Sequence, residues 1–413
     1  MTTINLKSGH PNQSHLPSSA VAVALQELST TITTTSSASL NYGEERGDAP
    51  FLNSLSSFLH DATVNDEQLS PLPPPLSPSQ LFVTAGVSHG IDLVCSVLIN
   101  PQSSSPPLAL LEEPTYFLAA EIFRSRGYVT APAPMYPPPQ GGIDVEALAS
   151  RLASNYYGQA PTLIYLIPSN HNPTGFTYPL SHRVELCELA HANQIHLIAD
   201  EVYHLLSWSS STPARFTRCI TPPSPYIVSI SSFTKIFSPG MRCGWIESHS
   251  PALLAKVENL GYIQSQGGVL PFVSEIMRIS LKNNAVASSI DFLRTEYKRR
   301  ASATVKALQK LSPIVQIPFL PLGGYFLWVV FCFPEGSTGS DFVDFMAARS
   351  AGPVLLLKGT VCTCSSERYE NEEWLVNSAR ICFASVDEQV LEEGVKRIGE
   401  GLEQFVLERG SGD

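Results

Sequence analysis

The chain has no long apolar run. No stretch among its 413 residues approaches the ~20 that a membrane-spanning helix needs. Basic clusters are missing too. No run of five or more Lys or Arg occurs, and 26 basic against 37 acidic residues leave a formal charge of −11, which argues against a nucleic-acid partner. The N-terminus, Met1-Thr2-Thr3-Ile4-Asn5-Leu6, has neither a secretory apolar core nor the Arg-rich pattern of a transit peptide, so a cytoplasmic location is expected. The eight cysteines are scattered, and only Cys362 and Cys364 lie close, without His neighbours. Neither a disulfide framework nor a metal site is therefore expected. There is no internal repeat.

What is present is an ordinary globular composition, 43% hydrophobic and 15% charged. The length suggests one large domain and a smaller one. Pro/Ser-rich stretches at 70–80, 101–107 and 131–139 read as surface loops, because proline disfavours helix interiors and central strands. Between them, short apolar runs alternate with helical patterns. Expected strands are Leu81–Thr84, Ala109–Glu112, Tyr128–Thr130, Leu163–Ile167, Ile195–Ala199, Tyr226–Ile230 and Cys243–Ile246. Helical periodicity fits 87–99, 117–126, 144–154, 181–193 and 250–264. Doubly apolar strands separated by helices imply an α/β domain around a mostly parallel seven-stranded sheet covered on both faces. The remainder reads as α+β: helix over 272–311, a strand at Gly323–Phe331, a closing strand at Arg380–Phe383 and a last helix Asp387–Leu407. Residues 26–275 are thus expected to form the large domain, and 1–25 with 276–413 the small one.

Several residues carry chemistry at the expected strand ends. Lys235 sits in Ser231-Ser232-Phe233-Thr234-Lys235, followed by Ser238-Pro239-Gly240-Met241-Arg242-Cys243-Gly244. An isolated lysine here would be a solvated one, but Ser232 and Arg242 flank it at distances from which both reach one phosphate. Asp200, in Asp200-Glu201-Val202-Tyr203, ends a strand at the carboxyl edge where α/β sheets place ligands; its blander role is a helix cap. Tyr203 offers a hydroxyl or is simply a buried aromatic. Asn172 opens Asn172-Pro173-Thr174-Gly175, 28 positions before Asp200, as two adjacent strand ends joined by one crossover helix would be. Gly86-Val87-Ser88 opens a helix whose N-terminal N–H groups suit a phosphate, or are merely capped. Tyr116 follows another strand and presents a ring to stack on or to pack.

In this order, the motifs resemble those of the class I/II aminotransferase family, enzymes of fold type I that use pyridoxal phosphate. The resemblance runs from about residue 4 to 406. It implies Lys235 as the Schiff-base lysine and Asp200 as partner of the cofactor's ring nitrogen. Asn172 and Tyr203 would bond the phenolic oxygen, and Tyr116 would stack on the ring. Val87, Ser88, Ser232 and Arg242 would hold the phosphate, with Tyr42 reaching the phosphate of a neighbouring subunit. Arg380 would clamp the substrate α-carboxylate, with Asn172 beside it and Gly9 closing over it. A homodimer with shared active sites, amino-acid and 2-oxo-acid substrates, and ping-pong transamination are implied, including broad aromatic or 2-aminoadipate specificity. The same motifs serve carbon–sulfur lyases and aminocyclopropane-carboxylate synthases, so elimination remains the alternative. The chain departs from the family at Lys358-Gly359, where Pro-Gly is usual, at Phe51-Leu52-Asn53, and in the Ser/Thr-rich segment 28–39.

Overall fold

The computed structural model describes residues 2–34, 38–64, 74–209, 213–334, 336–364 and 372–410. Residues 35–37 of the Ser/Thr-rich segment and 70–73 of the first Pro/Ser stretch lie outside the described residues.

Seven strands form one sheet, in the order Leu81–Thr84, Gly244–Ser248, Ile227–Ser232, His196–Asp200, Leu163–Leu166, Leu108–Leu111 and Val129–Pro132. Only Gly244–Ser248 runs antiparallel to its neighbours. Every residue of the strands Leu81–Thr84, Leu108–Leu111, Leu163–Leu166, Ile227–Ser232 and Gly244–Ser248 is buried, so both faces are covered. The two-residue alternation of a strand divides them between two cores. Leu110, Ile164, Leu166, Leu197 and Ala199 pack into one. Ala109, Leu111, Leu163, Tyr165 and Ile198 pack into the other.

A second sheet, all antiparallel, has the order Leu357–Lys358, Ser378–Cys382, Phe326–Phe331 and Val315–Gln316. The N-terminal strand Ile4–Asn5 pairs in parallel with Val354–Leu355, which ties the start of the chain to its C-terminal third.

All seven expected strands are present, with ends shifted by at most two residues. Three expectations need correction. The stretch 131–139 is not wholly loop: its first two residues end Val129–Pro132, an edge strand, where the missing proline N–H costs no ladder bond. Within 70–80, Pro78–Gln80 forms one 3-10 turn capped by Ser77. The helices at 250–264 and 272–311 are each broken. Pro251–Glu258 and Gly261–Gln266 are separated at Leu260, whose backbone is extended. Pro271–Lys282 and Ala285–Gln309 are separated by Asn284, in the left-handed conformation that Asn tolerates better than most residues. Two further helices, Ser18–Thr34 and Ala49–Val64, pack against Pro271–Lys282. Their β-branched, Ser-rich and Pro-containing sequences hide them from a periodicity reading.

Arg183, on the helix Leu180–Ala192, is a buried tie behind the Asn172 turn. Its Nε donates to Tyr178 O at 3.0 Å, Nη1 to Ala214 O at 2.8 Å, and Nη2 to Pro168 O at 2.9 Å and Ser169 Oγ at 2.8 Å. The Glu201 carboxylate lies 3.9 Å away. Removing this cation strands several buried carbonyls and one buried carboxylate. Arg183→Met is expected to destabilise the protein by about 3–5 kcal/mol in urea unfolding. A change within about 0.5 kcal/mol, typical of a surface site, would contradict that account.

Candidate active site

The parallel strands all end at one edge of the sheet, and a cavity of about 550 Å³ opens there. Gly9, Val87, Ser88, Tyr116, Asn172, Asp200, Tyr203, Ser232, Lys235, Arg242 and Arg380 all line it. Of the residues singled out from the sequence, Tyr42 alone does not. It stands 80% exposed on the surface beside Gly267.

One end of the cavity is built for an anion. The helix Val87–Leu98 begins there, so its first N–H groups face the cavity. Gly86 precedes it at φ +94°, and a Cβ on it would meet Arg242 Nη2 at 2.7 Å. Arg242 itself is left-handed, with Nη2 donating to Ala85 O at 3.2 Å. Ser232 ends its strand with its hydroxyl donating to Cys243 O at 2.7 Å and accepting from Thr234 N at 3.1 Å. Gly244 lets the strands close on this spot, since a Cβ there would sit 2.6 Å from Ser231 O and 2.9 Å from Gly86 Cα.

The middle holds an amine and a carboxylate. Lys235 Nζ donates to Gly9 O at 2.8 Å and lies 5.2 Å from the centre of the Tyr325 ring. Burial lowers its amine to about 8, and the charges of Arg380 and Arg242 act in the same direction. The Asp200 carboxylate is buried at the end of its strand. Tyr165 donates to its Oδ2 at 2.9 Å, and Val202 N to its Oδ1 at 3.3 Å. Burial nevertheless pushes Asp200 up to about 6. Tyr203 is buried against Tyr325 and Phe326, with ring centres 5.3 and 5.8 Å away, and burial raises its phenol well above the ordinary range.

The other end is again cationic. Arg380, on Ser378–Cys382, stacks over Phe326 at 4.0 Å. Its Nη1 donates to Asn172 Oδ1 at 2.6 Å and its Nη2 to Lys7 O at 2.7 Å, while its buried Nε has no hydrogen-bond partner among the described residues. Gly9 packs flat on Phe326, where a Cβ would come within 2.8 Å of Cζ. Tyr116 begins the helix Phe117–Ser125 on the cavity wall.

Sequence reasoning missed Thr234, Phe117, Leu118, Leu357 and Phe326, which also line the cavity, and Tyr165 and Tyr325 behind it. Thr234 stands inside the quoted Lys235 motif and was there to be found. The others read as core residues until the strands are set side by side.

Pyridoxal phosphate has three handles: a phosphate dianion, an aldehyde and a basic ring nitrogen. The cavity presents a helix N-terminus with Arg242, a half-buried amine of lowered basicity, and a buried carboxylate to which no side-chain cation is bonded among the described residues. These residues fit the cofactor.

A sequence model of the family described as aminotransferase class I and II matches residues 2–398. The 2-aminoadipate transaminase of Thermus thermophilus is 27% identical over 330 residues, covering 79% of this chain and 76% of its own length. Aromatic-amino-acid aminotransferase 1 of Thermococcus litoralis is 25% identical over 369 residues, covering 88% and 80%. Among solved structures, the multiple substrate aminotransferase of Thermococcus profundus superposes with TM-score 0.81 at 23% identity, covering 98% of this chain and 92% of that one. The Pyrococcus horikoshii kynurenine aminotransferase gives 0.82 at 23% identity, with 98% and 92% covered. Both structures share the fold.

An acid raised in the folded state favours folding while protonated. Asp200 therefore contributes stability in full below its ordinary value of 3.8 and loses it as pH rises through about 6. In the cofactor-free protein, Asp200→Asn is expected to be more stable than the parent at pH 8, by on the order of 2 kcal/mol, and to lose that advantage near pH 4. Urea unfolding of both proteins across this range checks it; a difference that does not vary with pH would contradict the raised carboxylate.

Proposed function

The chain belongs to the aminotransferase class I and II family, enzymes that work with pyridoxal phosphate, and on that premise we propose that it transfers the amino group of an α-amino acid to a 2-oxo acid with the residues named above. The observation that carries the reading is the single cavity into which Lys235, Asp200 and Arg380 all open, with anion-binding groups at its far end. Bound there, the cofactor supplies an aldehyde that condenses with amines and a protonated ring that accepts the electron pair released at the substrate's α carbon.

The chain's own residues do the rest. Lys235 holds the cofactor between turnovers. With a substrate amine in its place, Lys235 Nζ would take the proton from the substrate Cα and deliver it to the carbon that was the cofactor's aldehyde. An amine brought down to about 8 is neutral often enough at physiological pH to act as that base. Asp200 keeps the ring nitrogen protonated by facing it with a negative charge. Asn172 and Tyr203 would bond the phenolic oxygen, Tyr116 would cover a ring face, and Val87, Ser88, Ser232 and Arg242 would hold the phosphate. Arg380 receives the substrate carboxylate, replacing contacts now made to Asn172 and Lys7, and so fixes the Cα–H bond relative to Lys235. Gly9 leaves room for that carboxylate.

Substrate breadth of the aromatic and 2-aminoadipate kind is supported by the names of the two relatives and by an apolar wall of Phe117, Leu118 and Leu357. A homodimer is part of the proposal. Leu40, Tyr42 and Phe272 are exposed apolar residues, Tyr42 beside Gly267, and in the proposed dimer Tyr42 would reach the phosphate in the partner's cavity. Residues 26–275 act as the cofactor-binding domain and 1–25 with 276–413 as the smaller one. Eight unpaired cysteines, seven of them buried, fit a reducing compartment such as the cytoplasm. Among the described residues, no helix is long and apolar enough to cross a membrane.

Lys235→Ala is expected to cut transamination at least about a thousandfold, because it removes both the covalent anchor and the base. Retained turnover in that variant, assayed as amino-acid-dependent conversion of a 2-oxo acid, would sink the assignment. The cofactor-free enzyme should take up cofactor at a rate that rises with pH around a midpoint near 8, as the Lys235 amine loses its proton. A midpoint above about 10, that of an ordinary lysine, would show an unperturbed amine.

A further inference from the structure

Tyr165 is a buried polar residue that the mechanism above leaves without a role. It lies on Leu163–Leu166, paired in parallel register with Ile198 of the neighbouring strand. Two residues on from Ile198, and therefore on the same face, comes Asp200. The Tyr165 side chain is fully buried and does not line the cavity. Its ring is wedged edge-on against Phe123 of the helix Phe117–Ser125, with centres 5.5 Å apart. From there its hydroxyl donates 2.9 Å to Asp200 Oδ2.

We propose that Tyr165 is a positioning residue for the reaction, whose hydroxyl fixes the rotation of the Asp200 carboxylate and keeps it anionic toward the cofactor's ring nitrogen. The inference rests on Asp200 facing that nitrogen.

Competing effects meet at this single carboxylate. A carboxylate taken out of water favours its neutral form. A neutral Asp200 cannot hold a proton on a pyridine nitrogen. The groups around Asp200 divide by direction: burial and the neighbouring Glu201 raise it, and the Tyr165 hydroxyl, Val202 N–H and the Lys235 charge lower it. Tyr116 and Tyr203 also face it, both as neutral phenols with raised values. Tyr165 is the side chain in this set that favours the charged form through a hydrogen bond, and Val202 N–H at 3.3 Å is the longer of the two hydrogen bonds. A hydrogen bond to an ion is about twice as strong as one between neutral groups. The same bond also sets geometry. With Oδ2 tied to Tyr165 and Oδ1 to the backbone after it, the carboxylate plane has no free rotation, so the ring nitrogen meets it at one angle.

The test is Tyr165→Phe in the cofactor-loaded enzyme, which removes the hydroxyl and keeps the ring against Phe123. The expected result is a kcat lower by about tenfold to a hundredfold for the amino-acid half-reaction, with KM for the amino acid changed less than about threefold. With ring-nitrogen-labelled cofactor, the 15N resonance should move from the protonated toward the unprotonated position, which a merely structural role for Tyr165 does not produce. The effect should also depend on the carboxylate. In an Asp200→Asn background, Tyr165→Phe should change kcat less than about twofold, because the group it acts through is already gone. An unchanged 15N resonance with kcat within about twofold of the parent overturns the inference, as does a full additional loss in the Asp200→Asn background. Parent enzyme that binds no cofactor at Lys235 would instead overturn the functional reading on which the inference stands.

Discussion

The burial of one carboxylate and one amine at the carboxyl edge of the large sheet constrains everything around it. Asp200 is buried and Lys235 half-buried, and each is shifted toward its neutral form by that burial, to about 6 and about 8 respectively. Such shifts cost stability and are kept where chemistry uses them. The strand His196–Asp200 places the carboxylate, and the turn after Ile227–Ser232 places the amine. The two strands are adjacent and parallel, so their ends lie side by side without any further device. In the proposed reaction the cofactor's ring and aldehyde would meet these two groups at once, which is the arrangement an electron sink with a covalent tether requires.

Charge is distributed accordingly. The chain as a whole carries −11, yet Lys7, Lys235, Arg242 and Arg380 line the cavity against Asp200 alone. An acidic protein with a basic pocket draws anions to one place and repels them elsewhere. Phosphate and two kinds of carboxylic acid are the ligands of the proposed reaction, and all are anions. Arg242 and Arg380 stand at separate ends, each held by backbone carbonyls, so the phosphate and the carboxylate do not compete for one guanidinium.

Much of this was legible from residue order. Apolar runs bounded by turns gave the seven strands, because doubly buried strands leave an unmistakable hydrophobic trace. The cavity residues were legible because strand ends are short, punctuated and chemically unusual: Asp200, Asn172 and Lys235 each follow a run of apolar residues. Helix breaks were not. A left-handed Asn284 has no local signal that separates it from a surface asparagine inside a helix. Helix Ser18–Thr34 was hidden by its β-branched, Ser-rich composition; its stability comes from packing Ala24 and Leu28 on Ile276 and Ile279, far away in sequence. Tyr165 shows the same limit inside the site. On the sequence it is one more apolar-run residue, and its hydroxyl acquires a partner only when the register Tyr165 to Ile198 is known.

The most direct measurement is borohydride reduction of the purified, cofactor-loaded protein, followed by proteolysis and mass spectrometry. Reduction makes the lysine–cofactor bond permanent, so the modified residue can be read from the peptide. The account predicts a single pyridoxyl group, carried on Lys235. Label on another lysine, or none after cofactor has been supplied, would contradict the placement of the reaction at this sheet edge.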